Sequence, residues 1–288
     1  MDAVIVVDEA PTPRARCTLF RDLRPGDRVV CGVDGVRVRY PEARGQNGFA
    51  FMNEAVSSER HVEAAVEEIA WEMQRIRERG GRIAVVAGPV VVHTGGSKHL
   101  SALIEAGYVQ ALLTGNALPV HDIEYDLFGT SLGVDLARGK PVHEGHRNHL
   151  MAINRVRAAG GIREAVESGV VRSGIMHACV RHDVPFVLAG SIRDDGPLPD
   201  TMMDLEQAQA AYARAIEDVD MILMLSSMLH AIGTGNMTPA GVRLICVDIS
   251  PAVVTKLADR GSLESSGIVT DVGLFLNLLA GSLTRDAD

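Results

Sequence analysis

The sequence predicts an α/β protein, a doubly wound parallel sheet with a small β-rich subdomain ahead of it. Three observations carry that reading. Short apolar runs recur at Ile83 to Ala87, Val109 to Leu113, Phe186 to Ala189, Met221 to Leu225 and Leu244 to Asp248, with a weaker one at Gly267 to Thr270. Runs of this length, bounded by glycine, proline and small polar residues, read as strands buried on both faces. Helical patterns lie between them, at Leu100 to Ala106, Leu150 to Ala158, Ile162 to Ser168, Ser173 to Val180, Leu205 to Ile216 and Pro251 to Asp259. That alternation argues for parallel strands with helices on both faces. Finally, most of the strand-like runs end in small hydrogen-bonding residues, and parallel sheets take their ligands at the carboxyl ends of their strands.

Residues 1–55 differ from the rest. Val4 to Val7, Arg28 to Cys31 and Val36 to Val38 are short alternating runs separated by Pro11, Pro13, Pro25-Gly26 and Asp34-Gly35. An Asp-Gly pair between β-rich runs predicts a hairpin. Residues 56–288 form the large domain. It opens with a helix over Arg60 to Arg79, with Ser57-Ser58 before it and Gly80-Gly81 after it as cap residues. Trp71 is expected to anchor that helix by packing, since aromatic residues on helices usually bury.

The stretch from Arg82 to Glu124 organises the domain. It reads as a strand, a polar turn, a helix and a second strand that stops at Thr114, Gly115 and Asn116. The turn contains His93, Thr94, Gly95 and Gly96. Its glycine pair lets backbone N–H groups approach an anion, and the following helix start adds a favourable dipole. The alternative is a tight strand-to-helix turn with no ligand. Neither G-x-G-x-x-G nor G-x-x-x-x-G-K-[ST] occurs.

Composition excludes several classes. Of 288 residues, 47% are apolar and 23% charged, with 29 glycines, a profile of a folded enzyme rather than of a disordered chain. The net charge is −9, and no Lys/Arg cluster offers a nucleic-acid surface. No apolar segment is long enough to span a membrane, and no signal peptide is expected. Cys17, Cys31, Cys179 and Cys246 are scattered, three of them in or beside apolar runs, so buried reduced thiols and a cytoplasmic protein are the expectation.

Candidate chemistry sits at the strand ends. Asp248, followed by Ile249, ends a buried strand, where a carboxylate can accept hydrogen bonds from ribose hydroxyls and disfavour a 2′-phosphate. It can also cap the helix that begins at Pro251. The segment Ala189 to Asp200, AGSIRDDGPLPD, is the densest polar loop. Arg193 can clamp a carboxylate while Asp194 or Asp195 holds an ammonium, which suits an amino acid with a second amine. An internally paired loop is the alternative. His143, His146 and His149 lie in HEGHRNH, and His121, Asp122 and Glu124 are near in sequence. With no H-E-x-x-H present, capping and substrate contact are the reading, and no metal is expected. No nucleophile motif is found.

The runs AGPVVVHTGG, LLTGNALPVHDIEYDLFGTSLGVDL, GHRNHLMAINR, FVLAGSIRDDGPLPD, MLSSMLHAIGTGNMTPAGV and CVDISPAVVTKLADRGS closely resemble the archaeal-type ornithine cyclodeaminase family. That family also forms the C-terminal part of cyanobacterial arginine dihydrolase/ornithine cyclodeaminase proteins. The resemblance runs from about residue 20 to residue 283. It implies a deoxyhypusine-synthase-like, Rossmann-type fold with bound NAD. The dinucleotide would meet the turns at His93 to Gly96, Thr114 to Asn116, Gly190 to Asp195 (Gly190 and Ser191 first), Asp248, Ile249, Thr270 and Asp271. Arg193, Asp194, Asp195, His121 and Asp122 would serve the substrate. The implied reaction takes hydride from Cα of L-ornithine, closes the ring by attack of the δ-amine with loss of ammonia, and returns the hydride to give L-proline. A homo-oligomer acting on a small amino acid is expected. Archaeal members carry a further N-terminal region and cyanobacterial ones a dihydrolase domain, so either a substrate supplied by a partner or a changed substrate is a further expectation. Two other classes stay open, an amino-acid or opine dehydrogenase and a non-catalytic NAD-binding subunit.

Overall fold

The computed structural model describes residues 3–8, 12–32, 37, 59–136, 138–142, 145–194, 196–239, 241–258 and 265–284. It divides into two compact units, residues 1–47 and 48–288. The first contains an antiparallel pair, β1 (Ala3–Asp8) and β2 (Arg14–Leu19). Arg28 to Cys31 is not a full strand. It contributes a single bridge, Val29 to Val6. The hairpin expected at Asp34-Gly35 and the Ser57-Ser58 cap lie outside the described residues.

The second unit begins with α1 (Glu59–Glu78), β3 (Ile83–Ala87), α2 (Val90–His93), α3 (Ser97–Glu105), β4 (Ala111–Gly115) and α4 (Ala117–Phe128). A small antiparallel sheet follows, β5 (Thr130–Ser131), β6 (Val134–Asp135) and β7 (Lys140–Pro141). Next come α5 (His146–Ala159), α6 (Ile162–Glu167), α7 (Ile175–Arg181), β8 (Phe186–Ala189) and β9 (Thr201–Met202). The last third holds α8 (Leu205–Ala215), β10 (Met221–Leu225), α9 (Met228–Met237), β11 (Arg243–Asp248), α10 (Pro251–Ala258), β12 (Ser265–Val269) and α11 (Val272–Thr284).

The main sheet has seven parallel strands in the order β12-β11-β10-β3-β4-β8-β9. From β3 the chain moves outward through β4, β8 and β9. It then returns to the other side of β3 and moves outward again through β10, β11 and β12. Side chains alternate across a strand, and the core follows that period. Ile83, Val85 and Ala87 face a core shared with Met73, Leu103 and Phe275 from α1, α3 and α11. Ala84 and Val86 face a second core with Tyr212, Ala231 and Leu257 from α8, α9 and α10. Both faces are therefore covered, which explains why β3, β4 and β10 are buried at every position and almost wholly apolar.

Some expectations need correction. Trp71 is 55% exposed and carries the Arg75 guanidinium over its ring at 4.7 Å, so it is no packing anchor. Only Cys179 and Cys246 are buried, while Cys17 and Cys31 are exposed. No helix among the described residues is long and apolar enough to cross a membrane.

Candidate functional site

The order of the strands puts the reversal of the winding between β3 and β10. In open α/β sheets this switch point opens a crevice at the carboxyl ends of the strands. The backbone here is built for close approach. Gly88 N–H donates to the Leu225 carbonyl at 2.9 Å, and a Cβ placed on Gly88 would lie 2.1 Å from the Ser226 carbonyl oxygen. Ser226 holds φ +46°, a conformation unfavourable for a side chain, directly after β10. Ser227 then caps α9 by position, but its hydroxyl makes no cap hydrogen bond. It lies 3.4 Å from His230 Nδ1 instead. The first turn of α9 is thus left without a side-chain cap at the switch point, where its dipole favours an anion.

His230 occupies the centre of this edge. Its ring packs on Gly115 at the end of β4, where a Cβ would come within 2.7 Å of Cε1. The Ala189 carbonyl at the end of β8 lies beside the same Cβ position, 3.4 Å from it. Burial pushes the imidazole pKa down, against the opposing effects of Ala189 and Asp194. A neutral imidazole therefore joins three strand ends. His230 was not among the residues the sequence singled out. The run MLSSMLHAIGTGNM holds it, but only the strand order makes that run central.

The residues expected from sequence divide into several groups. The N–H groups of Gly95 and Gly96 donate to the carbonyls of Val92 and Val91, so the anion cradle expected there is already spent on closing the turn after α2. Gly96 is needed for packing, since a Cβ would meet Leu276 and the Val91 carbonyl at 2.9 Å. Thr94 Oγ1 donates to the Val90 carbonyl at 2.9 Å. Thr114 Oγ1 donates to the Ala87 carbonyl at 2.7 Å, tying β4 to β3. Asn116 Oδ1 accepts from Leu198 N–H at 2.9 Å and from the Thr201 hydroxyl at 3.1 Å, bracing the loop after β8.

In that loop Gly190 is needed for close approach, because a Cβ would sit 2.5 Å from Met203 Sδ. Asp194 accepts from Ser191 N–H at 2.7 Å, and the Ser191 hydroxyl accepts from Arg193 N–H at 3.2 Å. The turn is therefore closed on itself, and Arg193 is left exposed. Asp195 lies outside the described residues. On the other side of the switch point, Asp248 accepts from Ser250 N–H at 2.8 Å and is followed by Ile249, which is 70% exposed. The Thr270 N–H donates to the Asp248 carbonyl at 3.1 Å. Asp271 caps α11 by accepting from Leu274 N–H at 2.9 Å.

His121 and Asp122 face different neighbours on α4. Asp122 is buried and accepts from the Ser97 hydroxyl at 2.6 Å and from Met176 N–H at 2.9 Å. Burial pushes its carboxyl up to about 6 even with those bonds. It pins α4 to the starts of α3 and α7. His121 belongs to a second cluster, flanked by the tilted rings of His93 and His149 with centroids 4.8 and 5.0 Å away. Glu124, fully buried, lies beneath it. Its Oε1 accepts from the Thr130 hydroxyl at 2.8 Å and Gly133 N–H at 3.0 Å, and its Oε2 from Leu132 N–H at 3.1 Å. Burial alone would raise the Glu124 pKa. The two imidazoles, Gly133 N–H and the Thr130 hydroxyl outweigh it and hold the carboxyl well below the usual range.

The fold is that of a Rossmann-type α/β protein, with its switch point between β3 and β10. The chain belongs to the arginine dihydrolase ArgZ-like C-terminal family. The model for its Rossmann fold matches residues 67–279, and the model for its first region matches residues 1–66. The chain is 61% identical to the bifunctional arginine dihydrolase/ornithine cyclodeaminase ArgZ of Synechocystis sp., an alignment covering 99% of this chain and 41% of that protein. It is 52% identical to the ornithine cyclodeaminase of Methanothermobacter thermautotrophicus, covering 99% of this chain and 70% of the relative. The crystal structure of the ternary complex of AgrE with ornithine and NAD+ superposes with a TM-score of 0.77 at 58% identity, covering 99% of this chain and 40% of that one. The chain thus spans about two fifths of the length of the cyanobacterial relative it matches.

Proposed function

We propose that this chain is an NAD-dependent cyclodeaminase that converts L-ornithine, or a related basic amino acid, to L-proline or the corresponding cyclic imino acid with release of ammonia. The observation that carries the reading is the switch point itself, where Gly88, Ser226 and the uncapped start of α9 meet between β3 and β10. Gly88 lets β3 and the turn after β10 close backbone to backbone, and the uncapped start of α9 beside them supports a dinucleotide pyrophosphate at the strand ends. The names of two relatives, and the ligands crystallised with a third, point the same way.

In this reading Ser226, Ser227 and the first turn of α9 hold the pyrophosphate. Asp248 takes ribose hydroxyls. When bound, NAD supplies reversible hydride transfer, so that oxidation and reduction cancel over one turnover. The protein has three remaining tasks. Arg193 is exposed at the end of β8 and can take the substrate carboxylate in a bidentate pair. His230, kept neutral by burial, can accept a proton from the α-amine, which must be unprotonated to form an imine. The loop after β8, braced by Asn116, holds Arg193 near that edge. A small-molecule substrate, a homo-oligomeric state and a cytoplasmic location complete the proposal. The buried thiols of Cys179 and Cys246 support the last.

Incubation with NAD+ and a panel of basic amino acids, followed by mass spectrometry and ammonia and NADH assays, tests the proposal. Proline and ammonia without net NADH are expected from ornithine. Net NADH would make the protein an amino-acid dehydrogenase. Bound NAD without turnover of any diamine would make it a binding subunit.

A further inference from the structure

Glu124 Oε2 lies 3.5 Å from His121 Nδ1 and 3.7 Å from His149 Nδ1. These distances are too long for ordinary N–H···O hydrogen bonds, which close to about 2.7–3.2 Å. They do match the edge of a coordination polyhedron, since two ligands each about 2.1 Å from a tetrahedral centre stand about 3.4 Å apart. The three ligand atoms all lie within 4.8 Å of one another. Both Nδ1 atoms are buried and have no hydrogen-bond partner among the described residues. His121 is only 4% exposed, so its ring nitrogen has no access to bulk water. Buried polar atoms of this kind need a partner.

The surroundings are those of a prepared ligand set. Thr130, Leu132 and Gly133 orient the Glu124 carboxylate, and Asn148 Nδ2 donates to Thr130 Oγ1 at 2.9 Å behind them. Leu132 and Gly133 both adopt left-handed backbone, φ +51° and +71°, which turns their N–H groups inward. Such outer bonds fix the ligand geometry at metal centres. The side chain of His149 is 29% exposed and offers an ion its route in.

We propose that His121, Glu124 and His149 form a divalent-cation site of the zinc class, joining α4 to α5 and to the Thr130–Gly133 turn. Two imidazoles and one carboxylate are a donor set that suits zinc. The site is structural, and its ion takes no part in the proposed hydride chemistry. No metal is expected from the sequence because it has no H-E-x-x-H, and the histidines of HEGHRNH follow Gly139 and Pro141, which argue for a loop start. His149 comes from another helix.

The test uses the full chain, stripped with a chelator and then titrated with zinc sulfate. Wild type is expected to retain about one zinc per chain through desalting and to melt several degrees higher with zinc than with chelator. His149→Ala is expected to bind zinc at least tenfold more weakly, with an unchanged circular-dichroism spectrum and no zinc-dependent rise in melting temperature. Glu124→Gln also removes a ligand but loosens the Thr130–Gly133 turn, so His149→Ala carries the comparison. No zinc retained by wild type, together with a melting temperature indifferent to zinc and chelator, overturns the proposal. Equal zinc retention by wild type and His149→Ala overturns it too, since the ion would then sit elsewhere. NAD titration of the same samples reads the cofactor proposal separately.

Discussion

Gly88 and Ser226 touch backbone to backbone where the two halves of the sheet meet. A Cβ at residue 88 would stand 2.1 Å from the Ser226 carbonyl oxygen, which no relaxation of a side chain can relieve. Gly88→Ala must push β3 and β10 apart at their carboxyl ends. Overpacking of this kind costs about 1–3 kcal/mol. The variant is expected to melt lower and to bind NAD at least tenfold more weakly. A variant with wild-type melting and wild-type affinity by calorimetry would remove the crevice from the proposed site.

Asp248 ends β11 with a carboxylate that spends one oxygen on Ser250 N–H. The other is available to a ribose. Asp248→Ala is expected to weaken NAD binding by roughly 1.5–3 kcal/mol, the range for a charge-assisted hydrogen bond, with little change in melting temperature. Equal affinity in mutant and wild type would leave Asp248 with its turn-closing role alone.

Arg193 is exposed in a turn already closed by Ser191 and Asp194. Arg193→Ala should therefore fold normally. Losing its contact with the substrate carboxylate should cost roughly 2–4 kcal/mol of transition-state binding, a thirtyfold to thousandfold fall in kcat/KM. Near-wild-type kcat/KM on the accepted amino acid would place the substrate carboxylate elsewhere.

Asp122 reads as structural. Its carboxylate satisfies the Ser97 hydroxyl and the first N–H groups of α7 in a fully buried position. Asp122→Ala strands those donors and is expected to cost roughly 3 kcal/mol or more in urea unfolding. NAD affinity per folded molecule should be retained. Selective loss of turnover without loss of stability would restore it to the catalytic group.

His230 gives a pH signature. Burial holds its folded pKa below the ordinary value of about 6.5. The unfolded chain therefore binds this proton more readily, so stability contributed by His230 is present above about 6.5 and is lost as pH falls toward the lower folded pKa. His230→Gln keeps a polar group and removes the titration. Melting temperature against pH should be flatter for the variant below pH 6.5, and identical slopes would show that His230 is not held neutral in the fold.

The sequence by itself determined the class of fold and most of its elements, because the cue is local. A strand buried on both faces must be apolar at every position, as Met221 to Leu225 is, and a helix must repeat its apolar face every three or four residues. It also marked the strand ends, Asp248 and the Gly190 loop among them, since polar residues after a buried strand stand out in one dimension. It did not expose α4, whose proline near the start hid a helix, or the pairing of β1 with Arg14–Leu19. What the tertiary structure alone decided is which of those ends meet. The reversal between β3 and β10 brings Gly88, Ser226 and His230 to one edge, while the N–H groups of the Gly95-Gly96 turn are satisfied internally. The same holds for His149, brought to His121 and Glu124 by the packing of α5 on α4. Hydrogen-bond partners and strand order are long-range relations, and residues more than a hundred positions apart carry no mark of them until the chain has folded.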